Sequence, residues 1–229
     1  MKHVAIIGKD SEKVSDLKEK LKKEGFIIST ENPSLVICHG GDGTFLIAER
    51  TYPGVLKILI KGSKISNKGH ELPIDEIIKR YLEGKYSVEE IRKLRAVSGK
   101  HELIGVNDIV IRNSLPTEAI RFILKIDGKR VEDEIVGDGV IISTPYGSTA
   151  YFNSVTREKF DKGIAIAFNN TTNKIAPIYL NGDEKIEIEI TRGPAVLISD
   201  NNRYFIHLEK GDKVKIELSD LVAKRIVIE

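Results

Sequence analysis

The stretch from residue 37 to 49, ICHGGDGTFLIAE, places one carboxylate among three glycines, between an apolar run and a helix-like pattern. Because glycine has no Cβ, a phosphate or a ribose can lie against the backbone of Gly40, Gly41 and Gly43, and the N–H groups that open a helix favour an anion. A carboxylate repels phosphate, so Asp42 fits here if it takes the proton of an attacking hydroxyl or faces phosphates across Mg²⁺. The pattern therefore predicts phosphoryl transfer to an alcohol. The alternative is a tight turn in which Asp42 caps the helix.

A second polar stretch, VGDGVIISTPYGSTAYFNS, covers residues 136–154 and repeats a glycine-flanked carboxylate at Asp138. Its loop STPYGSTAY is dense in hydroxyl groups and ends on the aromatic ring of Tyr151. Hydroxyls supply short hydrogen-bond partners and a flat ring suits a base or a sugar, so the loop favours nucleotide binding over a plain surface turn. A third stretch, GVNDIVIR, sets Asn107 beside Asp108, a pair that can bind ribose hydroxyls or form a turn.

Other motifs exclude several classes. The chain has no G-x-x-x-x-G-K-[ST] and no G-x-G-x-x-G after its first apolar run, which excludes a P-loop protein and counts against a standard dinucleotide dehydrogenase. The histidines and the single cysteine, Cys38, show no metal-ligand spacing, so no protein metal site is predicted. Lys61, Lys64 and Lys68 either meet donor phosphates or lie on a solvated loop, and the solvated loop is the preferred interpretation.

The elements that position these residues change character along the chain. Up to about residue 85, strand patterns at 4–7, 26–29, 34–38 and 54–62 alternate with helix patterns at 11–24, capped by Ser11, at 44–50 and at 73–83, as in an open α/β sheet. From residue 86 onward, strand patterns follow one another at 101–112, 119–127, 129–136, 139–144, 185–190 (KIEIEI), 195–199, 204–209 and 213–218. Asp127-Gly128 is a hairpin signal between two of them. We therefore expect a Rossmann-like α/β domain over 1–85 and a β-rich, β-sandwich-like domain over 86–229, whose last segment can return to the first domain.

Composition limits the partners. The 229 residues carry a formal charge of +2 and one cysteine. This balance gives no reason to propose nucleic acid or an anionic membrane as a partner, and no apolar run approaches the length of a membrane span. The single cysteine favours a reducing cytoplasm. The absence of glutamine and the many Lys and Glu residues suit a thermophile, although an AT-rich genome explains them equally well.

Together the three stretches resemble the NAD kinase family, which transfers a phosphoryl group from ATP or polyphosphate to the adenosine ribose 2′-hydroxyl of NAD, giving NADP. GGDGTFL resembles the family's GGDG box, NDIVI its Asn-Glu/Asp motif, and GDGVIISTPYGSTAY its glycine- and threonine-rich box. The resemblance covers about residues 1–155. It implies an α/β domain, a β-rich NAD-binding domain and a site in the cleft between them, with Mg²⁺ as the divalent metal and assembly as a homodimer or homotetramer.

The resemblance also assigns roles to individual residues. Asp42 would be the base on the 2′-hydroxyl, with Gly43 and Leu46 lining the same pocket. Asn107 and Asp108 would hold the ribose or adenine of NAD. The remaining contacts to the dinucleotide, partly from a neighbouring subunit, would come from Asp138, Thr149, Ala150, Tyr151 and Ser154.

The sequence departs from the family at two segments, 57–70 and 155–168, where the usual glycine-containing loops are replaced, and at Asp200-Asn201, where the family often has Asp-Gly. Two alternatives therefore stay open. One is a lipid or sugar kinase with a GGDG-like box, against which the STPYGSTAY loop argues. The other is a dinucleotide-binding regulator that has lost phosphoryl transfer, against which Asp42 argues.

Overall fold

The computed structural model describes residues 2–62 and 68–229 of the chain. It forms two compact units, the first made of Met1–Ile91 with Val222–Glu229 and the second of Arg92–Leu221. The helices are α1 Ser11–Lys23, α2 Asp42–Thr51, α3 Ile74–Leu82 and α4 Tyr151–Thr156. The strands are β1 His3–Gly8, β2 Ile27–Ile28, β3 Leu35–Gly40, β4 Leu56–Lys61, β5 Tyr86–Ser98, β6 His101–Gly105, β7 Asp108–Asn113, β8 Ile120–Ile126, β9 Lys129–Arg130, β10 Ile135–Gly137, β11 Gly139–Ser143, β12 Ile164–Asn169, β13 Ile178–Leu180, β14 Ile186–Arg192, β15 Ala195–Ser199, β16 Ile206–Leu208 and β17 Lys213–Ile228.

The first unit is a parallel sheet with helices. Strands β2, β1, β3 and β4 lie side by side in that order, and the end of β17 pairs in parallel with β4, Lys224 beside Leu56. Parallel strands need helical crossovers, which α1 and α2 provide. The apolar face of α1 buries Leu17 and Leu21 completely, in one core with residues of β1, β3, β4 and α3. The sequence pattern thus identified the three helices and the strands β1 to β4 of this unit.

The second unit contains two antiparallel sheets around one core. One sheet has the order β13-β12-β11-β7-β15-β16, and the other runs β10-β8-β14-β17, with β5 beside β17, β6 beside β5 and β9 beside β8. The buried residues of this core come from both sheets, which makes the unit a β-sandwich. In β14 the isoleucines are buried and the glutamates between them are partly exposed, as the alternating KIEIEI pattern predicts. The expected order of an α/β part followed by a β-rich part is confirmed.

The second face of one sheet carries a helix. Alternate residues of β7, β11 and β12, such as Val110, Ile141 and Ala165, point away from the sandwich core and pack against Phe152 of α4. Side chains alternate between the two faces of a strand, so these strands are buried on both sides. Because α4 follows directly on the hydroxyl-rich loop, this packing fixes that loop against the sheet.

Several local predictions need correction. Asp10, not Ser11, caps α1, since its carboxylate accepts a hydrogen bond from the N–H of Lys13 at 3.2 Å. The apolar stretch 101–112 is not one strand but two, because β6 ends at Gly105 and β7 begins at Asp108. The predicted strand at 213–218 is the start of the sixteen-residue β17. Neither β5 nor β12 stood among the strand predictions.

The predicted boundary between two domains at residues 85 and 86 stays a prediction. The compact units divide between Ile91 and Arg92, within β5, and the last eight residues belong to the first unit. This segment contributes apolar side chains to the first core, with Ile226 fully buried and Ile228 nearly so. Their contact with β4 explains why a segment from the end of the chain completes the first sheet.

Candidate functional site

The turn between β3 and α2 places Asp42 at the first residue of a helix. Gly41 precedes the helix in an extended conformation, with φ −111° and ψ −171°, and no side chain caps the N-terminus. The alternative in which Asp42 is the N-cap is therefore wrong. A carboxylate in the first turn interacts favourably with the helix dipole, and Asp42 is half-buried beside the exposed Gly43. The carboxylate therefore lies at the start of α2, in the part of the turn that solvent and small molecules reach.

The turn is packed closely against the segment that follows β4. The N–H of Gly62 donates to the carbonyl oxygen of Gly40 at 2.8 Å. A Cβ on Gly62 would lie 2.9 Å from the Cα of Gly40, and a Cβ on Gly40 would lie 2.2 Å from the Oγ1 of Thr44. Gly40 is therefore required by packing, and its contact with a phosphate stays a prediction. Leu46 is buried at 5% exposure, so its contact with substrate is likewise a prediction.

Lys68 is a cation of the first unit whose charge interacts with that of Asp42. Its side chain is half-buried, and burial lowers the pKa of the ammonium to about 8, while the charges of Asp42 and Glu89 raise it and that of Arg225 lowers it. The backbone carbonyl of Lys68 accepts a hydrogen bond from Nη1 of Arg225 at 2.8 Å. The preference for a solvated loop at this residue is therefore wrong.

The other two lysines of that prediction differ from Lys68. Lys61 ends β4 and pairs with the exposed Glu71, which makes it a surface ion pair. Lys64 lies outside the described residues. Lys68 thus combines burial with an electrostatic interaction with Asp42.

In the second unit, the turn between β6 and β7 is held by the carboxylate of Asp200. Its Oδ1 accepts hydrogen bonds from the N–H groups of Asn107 at 2.7 Å and Asp108 at 3.2 Å, and its Oδ2 accepts one from Val106 at 2.9 Å. The N–H of Asp200 in turn donates to the carbonyl of Asp108 at 3.0 Å. The alternative of a turn at Asn107 is thus correct in local structure, and the turn presents both side chains of the pair.

The carboxyl group of Asp108 is buried close to that of Asp200. Burial first, and the charge of Asp200 second, raise the pKa of Asp108 to about 7. Desolvation and a like charge both disfavour an ionised carboxylate. At neutral pH, Asp108 can therefore donate a hydrogen bond as well as accept one.

The hydroxyl-rich loop is anchored on the same turn. The carbonyl of Asn107 accepts hydrogen bonds from the N–H of Thr144 at 2.9 Å and its Oγ1 at 3.3 Å. A Cβ on Gly147 would lie 2.1 Å from this carbonyl, so the close approach requires glycine. The side-chain Oδ1 of Asn107 is buried, and no described residue donates a hydrogen bond to it. A buried acceptor without a protein donor is costly and is a candidate contact for a ligand.

The remaining predicted residues of this unit divide into buried and accessible positions. The carboxylate of Asp138 accepts a hydrogen bond from Nδ2 of Asn170 at 2.9 Å. The hydroxyl of Tyr151 accepts one from Nδ2 of Asn169 at 3.3 Å. Thr149 and Ala150 are half-buried, and Ser154 is exposed with its hydroxyl bonded to the carbonyl of Tyr151 at 2.7 Å. The structure thus brings Asn107, Asp108 and the loop together, and the contacts of all these residues with a dinucleotide stay predictions.

Two residues of these turns escaped the sequence predictions in their observed roles. In the sequence, Asp200 stands out only as a departure from a family motif. In the structure it adopts a left-handed φ of 49°, a conformation that Asn and Asp tolerate better than most residues. The sequence gives no sign that Lys68 is buried, because the short segment around it is rich in Gly, Ser and Lys. Cys38 is a buried core residue whose pKa is raised by desolvation to about 12, as the sequence predicts for a small apolar side chain.

The carboxylates do not gather into a metal centre within residues 2–62 and 68–229, where no group of three His, Cys, Asp or Glu residues could hold a metal ion. Mg²⁺ in phosphoryl-transfer enzymes is commonly held by one or two carboxylates together with the phosphates of the substrate. Asp42 fits the first part of that description. No helix in the described part of the chain is long and apolar enough to span a membrane.

Comparisons with known proteins agree with these features. Residues 106–227 match the family model of the ATP-NAD kinase C-terminal domain. The NAD kinase of Alcanivorax borkumensis is 32% identical over 210 residues, which cover 83% of this chain and 65% of that protein. A crystal structure of an NAD kinase from Archaeoglobus fulgidus in complex with ATP superposes with a TM-score of 0.84 at 21% identity, covering 100% of this chain and 94% of that chain. The chain belongs to the NAD kinase family.

Some relatives are much longer than this chain. The bifunctional NADP phosphatase/NAD kinase of Methanococcus maripaludis is 30% identical over 92% of this chain, which spans only 40% of that protein. The chain likewise spans less than two thirds of the Alcanivorax protein. Family membership therefore comes from the shared region, and the activity of this chain is a separate question.

Proposed function

We propose that the protein is an NAD kinase, which transfers a phosphoryl group to the adenosine ribose 2′-hydroxyl of NAD and so produces NADP. The observation that carries this proposal is the position of Asp42 as the first residue of α2. Its side chain is half-buried there, and its charge interacts with that of Lys68. Membership of the family and the buried, unbonded Oδ1 of Asn107 support it. ATP or polyphosphate is the proposed phosphate donor.

Asp42 acts as general base in this proposal. Its carboxylate accepts the proton of the 2′-hydroxyl while the hydroxyl oxygen forms a bond to the terminal phosphorus of the donor. The bond between that phosphorus and the bridging oxygen breaks, and the shortened donor leaves with the electron pair. Asp42 would be the carboxylate that faces Mg²⁺ when the ion is bound, and the ion would neutralise part of the charge of the donor phosphates.

The second unit holds the dinucleotide in this proposal. Asn107 offers a buried carbonyl oxygen to a donor group of NAD, and protonated Asp108 offers a hydrogen to an acceptor. Gly43 and Leu46 line the pocket at the 2′-hydroxyl, and Asp138, Thr149, Ala150, Tyr151 and Ser154 contact the rest of NAD. A homodimer or homotetramer and a cytoplasmic location remain predictions from the sequence and its resemblance.

The test is a direct assay of product. Purified protein is incubated with NAD, Mg²⁺ and either ATP or polyphosphate, and NADP is measured by an NADP-specific dehydrogenase. Parallel reactions offer diacylglycerol or fructose phosphate as acceptor. We expect NADP and no phosphorylated lipid or sugar. Phosphorylation of another acceptor without NADP would replace the proposal by the lipid or sugar kinase alternative, and tight NADP binding without any product would favour the regulator.

A further inference from the structure

The end of β4 brings Lys68 to the turn that carries Asp42. Because β4 runs parallel to β3, Lys61 lies beside Gly40, directly before Asp42's turn. The N–H of Lys61 donates to the carbonyl of His70 at 2.9 Å, and a Cβ on Gly69 would lie 3.0 Å from the N of Lys61. The residue before Gly69 is therefore fixed at the same end of the sheet as the turn.

Residues of β4 and β17 hold the backbone at residues 68–70. Arg225 of β17 donates from Nη1 to the carbonyl of Lys68 at 2.8 Å, and its Nε pairs with Glu89 at 2.7 Å. The ring Nε2 of His70 lies 3.1 Å from the carbonyl of Ile226, and the N–H of His70 donates to Leu59 at 2.8 Å. These contacts with β4 and β17 hold Lys68 in a defined place.

Three cations of the first unit, Lys61, Lys68 and Arg225, differ in their acidic partners. Arg225 is paired with Glu89 and Lys61 with Glu71, so each of these cations has an acidic partner other than Asp42. Lys68 interacts with Asp42 itself, and its pKa of about 8 leaves the ammonium charged at neutral pH. A carboxylate base that lies close to phosphates repels them. A cation whose charge interacts with that carboxylate offsets the repulsion.

We propose that the ammonium of Lys68 binds the phosphoryl group that is transferred at Asp42. This inference rests on the proposed phosphoryl transfer and names a further catalytic residue for it. The non-bridging oxygens of the phosphoryl group accept hydrogen bonds from the ammonium while the sugar oxygen attacks the phosphorus and the bridging bond breaks. The ammonium keeps its protons throughout, and the proton of the hydroxyl goes to Asp42.

Steady-state kinetics of Lys68→Met and Lys68→Arg test the role. We expect Lys68→Met to lower kcat/KM for the donor by about 100-fold, the size of effect seen when one preorganised donor to a developing charge is removed. Lys68→Arg should restore part of the rate, and the dissociation constant for NAD should stay near that of the wild type in both. The matched control is Lys22→Met, on the exposed face of α1, which should leave every constant unchanged.

The pH profile separates a role in binding from a role in folding. In the wild type, kcat/KM for the donor should fall as the pH rises above about 8, because Lys68 loses its proton there. Lys68→Met should lack this limb and Lys68→Arg should shift it to higher pH. The groups that face Lys68, namely Asp42, Arg225 and Glu89, are the same in all variants, and melting temperatures show whether each variant folds.

A third measurement does not depend on turnover. Acetic anhydride labelling at pH 8, read by peptide mass spectrometry, should modify Lys68 faster than Lys22, and inorganic tripolyphosphate should protect Lys68 alone. If the wild type makes no NADP and tripolyphosphate still protects Lys68, the proposed function fails and the phosphate contact stands. If folded Lys68→Met keeps the wild-type kcat/KM and pH limb, or if tripolyphosphate gives no protection, the inference is overturned.

Discussion

The same tripeptide, Gly-Asp-Gly, occurs in both units and folds in two different ways. Asp42 opens a helix beside the exposed Gly43, and its charge interacts with that of the half-buried Lys68. Asp138 lies between β10 and β11, where its N–H donates to the carbonyl of Asn169 at 3.0 Å and its carbonyl accepts from the N–H of Asn113 at 2.9 Å. The flanking elements, not the tripeptide, determine the local structure around each carboxylate.

The glycines have different structural roles in the two Gly-Asp-Gly copies. Gly139 has a φ of 153°, and a Cβ there would lie 2.2 Å from the carbonyl of Ile111. Gly137 would place its Cβ 2.8 Å from Thr171. The second copy therefore needs glycine for the sheet to close, whereas in the first copy Gly43 is exposed and leaves the start of α2 accessible. The predictions that follow test this difference.

The largest effect on stability is expected at the anchor of α2. Glu49 near the end of α2 forms a buried ion pair with Lys57 of β4, whose ammonium also donates to the carbonyls of Tyr52 at 2.8 Å and Val55 at 2.7 Å. Glu49→Ala leaves that ammonium buried without its carboxylate and should lower the free energy of unfolding by about 3–5 kcal/mol. Thermal and urea unfolding measure the loss.

A partly exposed pair in the second unit is the control. Lys125 and Glu187 lie 3.1 Å apart with about a quarter of each side chain exposed, and Glu187→Ala should cost no more than about 1 kcal/mol. Equal losses in the two variants would show that the helix carrying Asp42 is not anchored by its buried pair.

The next effect concerns the turn of Asp138. Gly139→Ala should lower the free energy of unfolding by about 1–3 kcal/mol, because the added methyl group meets the carbonyl of Ile111. Gly128→Ala is the control for backbone strain alone, since Gly128 also has a positive φ, 79°, but nothing within 4 Å of the added Cβ. A loss in Gly139→Ala no greater than that in Gly128→Ala would contradict the packing role.

Much of this arrangement followed from the sequence, and the rest depends on contacts between distant segments. Apolar periodicity located β1, β3, β4 and α3, and the glycines around Asp42 indicated the strand-to-helix turn. The split at Gly105 could not be predicted, because the apolar pattern continues through it and the turn is held by Asp200, 92 residues beyond Asp108. The burial of Lys68 likewise depends on Arg225, which is 157 residues away in the chain.

A pH-dependent effect is expected from Asp108. Its pKa is raised to about 7 in the folded chain, against an ordinary value of 3.8. Between these values the folded state holds a proton that the unfolded chain has released, so this group's contribution to stability falls as the pH rises from about 4 to about 7. Asp108→Asn removes this dependence, and its melting temperature relative to the wild type should rise across that range. A constant difference would contradict the raised pKa.

The smallest effect is expected at Ser154. Its hydroxyl is exposed and bonds the carbonyl of Tyr151 within α4. Ser154→Ala should change stability by no more than about 0.5 kcal/mol, so that any change in KM for NAD reports a contact with substrate. Isothermal calorimetry with NAD and the kinetic assay measure it. An increase in KM without a change in melting temperature would sharpen the assignment, and no change in either would remove Ser154 from the proposed NAD contacts.

We propose that Asp42, and not its counterpart Asp138, performs the chemistry. The most direct test measures kcat and the NAD dissociation constant for Asp42→Asn and Asp138→Asn side by side. We expect Asp42→Asn to lower kcat by about 10²–10⁴-fold with NAD affinity retained, and Asp138→Asn to weaken NAD binding while kcat stays near that of the wild type. A near-normal kcat in Asp42→Asn, or a collapse of kcat in Asp138→Asn alone, would contradict this assignment.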